Sequence, residues 1–276
     1  MGNLRNKISY DLIISKKNKK NKKNSPFVPK TEPEGTDHPI SFEMNYNLHS
    51  PWADVLFETQ LPPTILEKMI EVSDEILADS KRTNWGNNLA GQIKDEPLVT
   101  PPYLNKHNLT DFFGNMVLEY VHQCNLQKVP PQNRADQERL RNTIKVTINS
   151  MWIVEQQAGE YNPLHVHTGC DISAVMYLKV PKFLPSEKPK RDDDGAIIFV
   201  GASVGQFSKL KVGTIKIKPT AGQFFIFPAF MQHAVYPFKT DDNFARRSVS
   251  FNASFEYLGE GGEGVRSYKS LENVKS

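Results

Sequence analysis

The second half of the chain is divided into eight short runs with β-strand character, and no helical pattern lies between them. Val, Ile, Phe and Tyr are frequent in the runs, and Gly, Pro, Asn or Asp residues separate one run from the next. The runs are 145–157, 162–167, 172–180, 195–201, 213–219, 222–228, 233–238 and 246–258. Eight short strands of this kind favour an antiparallel sandwich or barrel, and a jelly roll is the usual eight-stranded solution.

Two amphipathic helices are predicted before the strands. Apolar residues recur at helical spacing after Pro62 and up to about Ser80. A second helix is predicted to begin at Thr110, a good N-cap residue that is followed by Asp111 in the first turn. The stretch 82–103 between them is rich in Asn, Gly and Pro and is predicted to be a loop. The predicted fold class is therefore α+β, with a jelly-roll barrel buttressed by N-terminal helices.

The chain is predicted to divide into four parts. Residues 1–40, which are rich in Lys and Asn and then in Pro, are expected to be a disordered basic tail and linker. Residues 41–143 form the helical N-terminal part of the same domain as 144–258, which holds the barrel and the candidate site. Residues 259–276 are expected to be a C-terminal tail.

The net charge of +3 comes from the tail. Residues 1–30 hold nine Lys or Arg residues and one acid. The remaining 246 residues hold 25 basic and 30 acidic residues, a net charge of −5. The folded part therefore gives no electrostatic reason to expect a nucleic-acid partner, and only the basic tail is expected to bind nucleic acid, weakly.

Apolar runs and cysteines are both scarce. The longest apolar runs are four or five residues long, whereas a bilayer span needs roughly 20, so no membrane span is expected. The two cysteines, Cys124 and Cys170, make neither a disulfide framework nor a CxxC pair, which suits a reducing cytoplasm.

Three histidines in the strand region form the main chemical signal. His165 and His167 are two residues apart on a predicted strand, so their side chains leave the same face of the sheet. His233 opens a later strand, which a jelly roll can bring alongside the first. These three residues are the predicted metal ligands and catalytic centre. Asp171, in the following turn, is the alternative third ligand.

The last predicted strand carries an arginine on a polar face. Alternation places Arg246, Ser248, Ser250 and Asn252 on one face and apolar residues on the other. A buried guanidinium is costly unless it meets an anion, and its planar shape suits a carboxylate. A short diacid can therefore bridge the metal and Arg246, since facing sheets lie ~10 Å apart. The alternative is a structural ion pair of Arg246 with an acid such as Asp194.

These motifs together resemble a known family. The run GEYNPLHVHTGCDISAVMYLKVP, followed by GQFFIFPAFMQHAVYPF and ARRSVSFN, is similar to iron(II)- and 2-oxoglutarate-dependent oxygenases with a prolyl-hydroxylase-like double-stranded β-helix. The resemblance spans about 50–258. It implies iron(II) held by His165 and His233, and 2-oxoglutarate held by Arg246 with help from Ser248. It also implies a further hydrogen bond to the cosubstrate from a tyrosine, either Tyr161 or Tyr177.

The resemblance implies a dioxygenase that uses O2 and hydroxylates an unidentified protein side chain or small molecule, with release of succinate and carbon dioxide. One feature departs from the family. The usual iron triad is HxD...H, whereas His167 stands at the acidic position. A three-histidine centre is also found in cupins, so a cupin-like metalloenzyme without 2-oxoglutarate is an alternative, as is a non-catalytic binding module.

Overall fold

The computed structural model describes residues 5–13, 39–49, 54–128, 134–187, 192–201, 213–241, 244–259 and 262–268. Four α-helices lie within these ranges: α1 (Pro63–Ala78), α2 (Pro101–Lys106), α3 (Leu109–Lys128) and α4 (Arg134–Arg141). The strands in the same ranges are β1 (Arg5–Ile13), β2 (Pro39–His49), β3 (Leu56–Gln60), β4 (Ile144–Gln156), β5 (Asn162–His165), β6 (Ile172–Lys179), β7 (Ile197–Val200), β8 (Thr214–Ile217), β9 (Gln223–Pro228), β10 (Gln232–Val235), β11 (Arg246–Tyr257) and β12 (Arg266–Tyr268).

The strands form two sheets. The larger has the order β1-β2-β3-β9-β6-β11-β4-β12, and the smaller has the order β5-β10-β7-β8. Only β12 pairs in parallel, with β4, among the strand pairs of the described ranges. All eight predicted strands are present as β4 to β11, and the α+β class is confirmed. In the described part of the chain the two sheets share no strand, so closure into a barrel remains a prediction.

The main core lies between the helices and the larger sheet. Ile65 and Met69 of α1 and Phe113 of α3 are fully buried against this sheet. The ring of Phe113 contacts Phe224 of β9 and Phe251 of β11, with centroid separations of 6.1 and 5.7 Å. Each such side chain contributes about 1.5–3 kcal/mol by leaving water. The helices therefore buttress the sheet, as predicted.

A second, smaller core lies between the two sheets. Tyr177 of β6, Phe199 of β7 and Phe225 and Phe227 of β9 are buried in it. Phe199 contacts Phe227 edge-on at a centroid distance of 5.1 Å. This contact holds the smaller sheet against the larger one at the place where the histidines of β5 and β10 lie.

The second predicted helix starts earlier than expected. Thr110 lies inside α3, and its hydroxyl donates to Asn105 Oδ1 at 2.8 Å instead of capping the helix. The preceding stretch, predicted as loop, ends in α2, which begins at Pro101, where the fixed φ of proline suits the first helical turn. The short α2 leads directly into α3, so the expected cap has no role.

The structure corrects the prediction of tails at both ends. Residues 5–13 form β1, which pairs with β2, and β12 lies within the predicted C-terminal tail. The sequence of β1 alternates apolar and polar residues, a strand signal that the neighbouring lysine run obscures. That lysine run, Lys16–Lys23, lies outside the described residues. The segment predicted as helical also contributes strands, β2 and β3, to the larger sheet. No helix in the described ranges is long and apolar enough to cross a membrane.

Candidate active site

Strand β11 supplies a polar face to a cavity of about 360 Å³. It lies between β4 and β6, with Arg246 opposite Gln156 and Ser248 opposite both Val154 and Tyr177. As the alternation predicts, Arg246, Ser248, Ser250 and Asn252 all line the cavity. Val249, Phe251 and Ala253 face the opposite way and are buried in the main core. One strand therefore serves the core and the cavity with alternate residues.

The three predicted histidines meet at this cavity. His165 ends β5 and lies directly opposite His233 of β10 in the antiparallel pairing. His167 lies two residues beyond the end of β5, and its backbone N–H donates to the Ala229 carbonyl at 2.9 Å. One ring nitrogen from each histidine lies within 4.8 Å of the others, and the Nε2 atoms of His167 and His233 are 3.3 Å apart. The structure thus brings together residues that are 66 positions apart in sequence.

Backbone carbonyls determine which nitrogens face the cluster. The Nδ1 atoms of His165 and His233 lie 2.8 Å from the carbonyls of Pro163 and Met231. Because a carbonyl can only accept, each Nδ1 carries the hydrogen and each Nε2 has a free lone pair. Burial lowers the pKa of all three histidines, that of His167 to about 4. Three neutral imidazoles, two of them with the Nε2 lone pair oriented by a backbone carbonyl, fit a divalent transition metal such as iron(II).

Asp171, the alternative third ligand, lies outside this cluster. The chain turns at Gly169, whose φ is 72°, and the Asp171 backbone N–H then donates to the Ala253 carbonyl. The exposed Asp171 carboxylate accepts a hydrogen bond from the backbone N–H of Phe255 at 3.2 Å. The structure therefore brings His167, and not Asp171, together with His165 and His233, and the identity of the third metal ligand stays a prediction.

Arg246 is buried without an acid. Its guanidinium is 1% exposed, and it donates to the Gly195 carbonyl at 2.5 Å and to Gln156 Oε1. The rings of Tyr177 and Phe238 each lie 5.5 Å from its central carbon. Among the described residues no carboxylate forms an ion pair with it, so the predicted alternative of a pair with an acid such as Asp194 is not observed.

Two donors of this region are buried and have no hydrogen-bond partner in the described part of the chain. They are Nε of Arg246 and the hydroxyl of Tyr177. Burial lowers the pKa of Arg246 and raises that of Tyr177, because burial disfavours the charged form of each group. A buried cation and two unpaired donors fit the carboxylate of an organic acid.

The remaining predicted cosubstrate residues separate into two groups. Ser248 and Tyr177 are buried and line the cavity. Tyr161 is 42% exposed and does not line it, and its carbonyl accepts the backbone N–H of Gln92. The structure therefore brings Ser248 and Tyr177, but not Tyr161, together with Arg246.

Several cavity residues were missed by the sequence analysis. Gln156 contacts Arg246 because β4 and β11 place the two residues opposite each other. The alternation of Gln156 with Trp152 and Val154 along β4 was a sequence signal that these residues share one face. Trp85 and Glu96 also line the cavity. Both lie in the stretch predicted as loop, where no periodic pattern indicates which side chains are buried.

One family model matches the part of the chain that holds the cavity residues of β4 to β11. Residues 150–252 match the model of a family described as "Putative 2OG-Fe(II) oxygenase", and this segment contains the three histidines and Arg246. The resemblance predicted from the sequence is therefore confirmed for residues 150–252, which are similar to the 2OG-Fe(II) oxygenases. These are oxidoreductases that use iron(II), 2-oxoglutarate and O2, so the predicted enzyme class and cofactors are confirmed as well. A comparison with curated proteins finds no match.

Solved structures show weaker likeness. A Pseudomonas putida prolyl-4-hydroxylase is 15% identical over 71% of this chain and 91% of its own, with a TM-score of 0.41. A Trichoplax adhaerens prolyl hydroxylase, in complex with a peptide fragment of the hypoxia inducible factor oxygen degradation domain, is 13% identical over 72% and 83%, with a TM-score of 0.40. The carbocyclase SnoK from nogalamycin biosynthesis is 13% identical over 77% and 85%, with a TM-score of 0.41. At these values the likeness carries no inference about activity.

Proposed function

We propose that this protein is an iron(II)- and 2-oxoglutarate-dependent dioxygenase that hydroxylates a protein side chain or a small molecule and releases succinate and carbon dioxide. In this proposal 144–258 form the catalytic core as a double-stranded β-helix, and 41–143 are part of the same domain. The observation that carries the proposal is one cavity that holds both the three-histidine cluster and a buried arginine that pairs with no acid of the described ranges.

His165, His167 and His233 are the proposed iron ligands. The carbonyls of Pro163 and Met231 hold two of the rings in the tautomer that presents Nε2. Depressed pKa values keep the rings unprotonated near neutral pH, so protons do not compete with the metal there. Iron(II) in such a site supplies the activation of O2 and the oxidative decarboxylation of 2-oxoglutarate.

Arg246 is the proposed partner of the distal carboxylate of 2-oxoglutarate. Its guanidinium is held in place by the Gly195 carbonyl and Gln156, so little side-chain entropy is lost on binding. Ser248, beside it on the same face of β11, and the free hydroxyl of Tyr177 are further donors to this carboxylate. The cosubstrate therefore neutralises a buried positive charge that no described residue neutralises.

Apolar side chains shield the reacting groups from water. The His233 ring packs edge-on against Phe227, with a centroid distance of 4.8 Å, and the His167 ring lies 6.0 Å from Trp152. Ile197 and Val235 also line the cavity. Apolar side chains of this kind exclude water from the cavity. Exclusion of water strengthens the electrostatic contacts within the cavity and protects the site from side reactions with water.

The test is 2-oxoglutarate turnover. Wild-type protein with iron(II), 2-oxoglutarate and O2 is expected to form succinate, measured by NMR, at a slow basal rate without substrate. Leaving a buried charge unpaired costs about 3 kcal/mol, so Arg246→Leu is expected to bind 2-oxoglutarate about a hundredfold more weakly. Arg139→Ala is the matched control, because Arg139 is exposed on α4 and pairs only with Asp136 among the described residues. An iron-loaded wild-type protein that forms no succinate would overturn the proposal, as would an Arg246→Leu variant with wild-type turnover.

A further inference from the structure

A second buried charged group lines the cavity away from Arg246. Glu96 is 1% exposed, and its Oε2 has no hydrogen-bond partner among the residues that the structure describes. Among the described residues no Lys, Arg or His forms an ion pair with it. A buried carboxylate without a partner is costly, so its presence at a cavity needs an explanation beyond packing.

The backbone around Glu96 directs the side chain to the cavity. The segment 95–99 runs beside β4, and the N–H groups of Ile153 and Glu155 donate to the Pro97 and Asp95 carbonyls. Leu98 lies opposite Trp152 in this pairing, so Glu96 lies beside Val154. Val154 is on the cavity face of β4 together with Trp152. Glu96 therefore extends the polar face of the sheet by one more strand.

Two glycines keep space around the carboxylate. A Cβ added at Gly86 would lie 3.3 Å from Glu96 Oε2, and one added at Gly91 would lie 3.4 Å from Oε1. The Cβ at Gly91 would also come within 2.3 Å of Asn162 Oδ1. The backbone of the loop that carries both glycines therefore lies so close to the Glu96 carboxylate that a side chain at either position would contact it.

Glu96 and Arg246 lie too far apart to neutralise each other. Glu96 lies beside Val154 on one side of β4, whereas Arg246 lies opposite Gln156 on the other side. Two strand spacings and an offset of two residues place the Cα atoms of Glu96 and Arg246 about 12 Å apart. The histidine cluster lies on the same cavity. A cosubstrate held by Arg246 and the histidines therefore leaves the Glu96 end for another molecule.

Aromatic rings complete the surroundings of Glu96. Trp85 lies in the same loop, and its backbone N–H donates to the Glu96 carbonyl at 2.8 Å. Trp85 packs with Leu89 against Trp152, Ile93 and Val154 in a small apolar cluster. A carboxylate among indole rings is a favourable environment for an organic cation, which gains both an ion pair and contact with the ring faces.

We infer that Glu96, with Trp85 and Trp152, binds a cationic nitrogen of the substrate, an ammonium or a guanidinium group. The inference rests on the proposed function, because the cation belongs to the molecule that is hydroxylated. It narrows the substrate to a cationic small molecule or to a peptide that carries a Lys or Arg side chain. Burial and the nearby charge of Glu160 raise the pKa of Glu96 to about 7, as is expected of an acid whose counter-charge arrives with the ligand.

The test uses two probe pairs, in each of which one member is cationic and the other is neutral. The first pair is N-acetyl-arginine amide and N-acetyl-citrulline amide, and the second is N-acetyl-lysine amide and its Nε-acetylated form. Binding is followed by quenching of tryptophan fluorescence, because two of the three tryptophans line the cavity. At pH 8 the wild-type protein is expected to bind the cationic member of at least one pair about tenfold more tightly than its neutral twin, and Glu96→Gln is expected to lose this preference. Equal binding within both pairs, or a preference that survives in Glu96→Gln, would overturn the inference.

Two further variants keep the inference testable if Glu96→Gln fails to fold. Trp85→Ala removes one indole from the partly exposed rim and is expected to weaken only the cationic probes. Glu160→Gln neutralises an acid that does not line the cavity and is expected to keep the preference. The titrations are made anaerobically with iron(II) and 2-oxoglutarate and repeated without them. Loss of iron or cosubstrate binding would count against the proposed function, whereas loss of charge preference would count against the role of Glu96.

Discussion

The difference in free energy of unfolding between Glu96→Gln and wild type is predicted to depend on pH. It is expected to favour the variant more at alkaline pH than at acidic pH. The carboxyl is buried beside the charge of Glu160, and its pKa is raised from 4.5 to about 7. Between these two values the folded protein binds more protons than the unfolded chain. The free energy of unfolding therefore falls as pH rises through this window, and the loss is complete above pH 7.

The size of the effect follows from the shift in pKa. One unit corresponds to about 1.4 kcal/mol, so ionised Glu96 costs about 3 kcal/mol of stability above pH 7. Most of this cost arises between pH 5 and pH 9. Relative to wild type, Glu96→Gln should gain about 2–3 kcal/mol between these two pH values. The three cavity histidines titrate in both proteins, so their contribution cancels in the comparison.

The assay is urea unfolding of both proteins at pH 5, 7 and 9, followed by circular dichroism. The stability of wild type relative to Glu96→Gln should decline with pH, and Glu160→Gln should show a smaller decline because one cause of the raised pKa is gone. A stability difference between wild type and Glu96→Gln that is independent of pH would refute the reasoning.

Two other predictions concern packing. Phe251→Ala, which opens a cavity between the rings of Phe113 and Phe224, should lower the free energy of unfolding by about 3–5 kcal/mol in calorimetry, and a loss below about 1 kcal/mol would contradict the described core. Gly91→Ala, which forces a methyl group against Asn162, should cost about 1–3 kcal/mol in urea unfolding. Gly213→Ala is its control, because no described residue lies within 4 Å of that added Cβ, and equal effects of the two alanines would refute the close approach at Gly91.

The strands could be predicted from sequence because their signals are local. Alternation and turn residues located all eight runs from β4 to β11, and alternation alone assigned Arg246 and Ser248 to the cavity. The prediction that His165 and His167 share one side also agrees with the structure, although β5 ends at His165, since both are half-buried and Val166 between them is exposed.

Features that depend on pairing between distant segments were missed. Gln156 meets Arg246 only through the register of β4 and β11, which contains an irregularity near Asn252. Glu96 is buried because its segment is added to the edge of β4, and nothing local in a Pro- and Asn-rich stretch indicates this. Asp171 fitted the spacing of a ligand but not the direction of the turn at Gly169.

The most direct test of the account is an anaerobic absorption titration of the purified protein with iron(II) and then 2-oxoglutarate. The account predicts a weak charge-transfer band in the visible range that appears only when both are present and that is absent in Arg246→Leu. Tight iron(II) binding without this band would contradict the assignment of Arg246 to 2-oxoglutarate, and a failure to bind iron(II) would contradict the three-histidine centre.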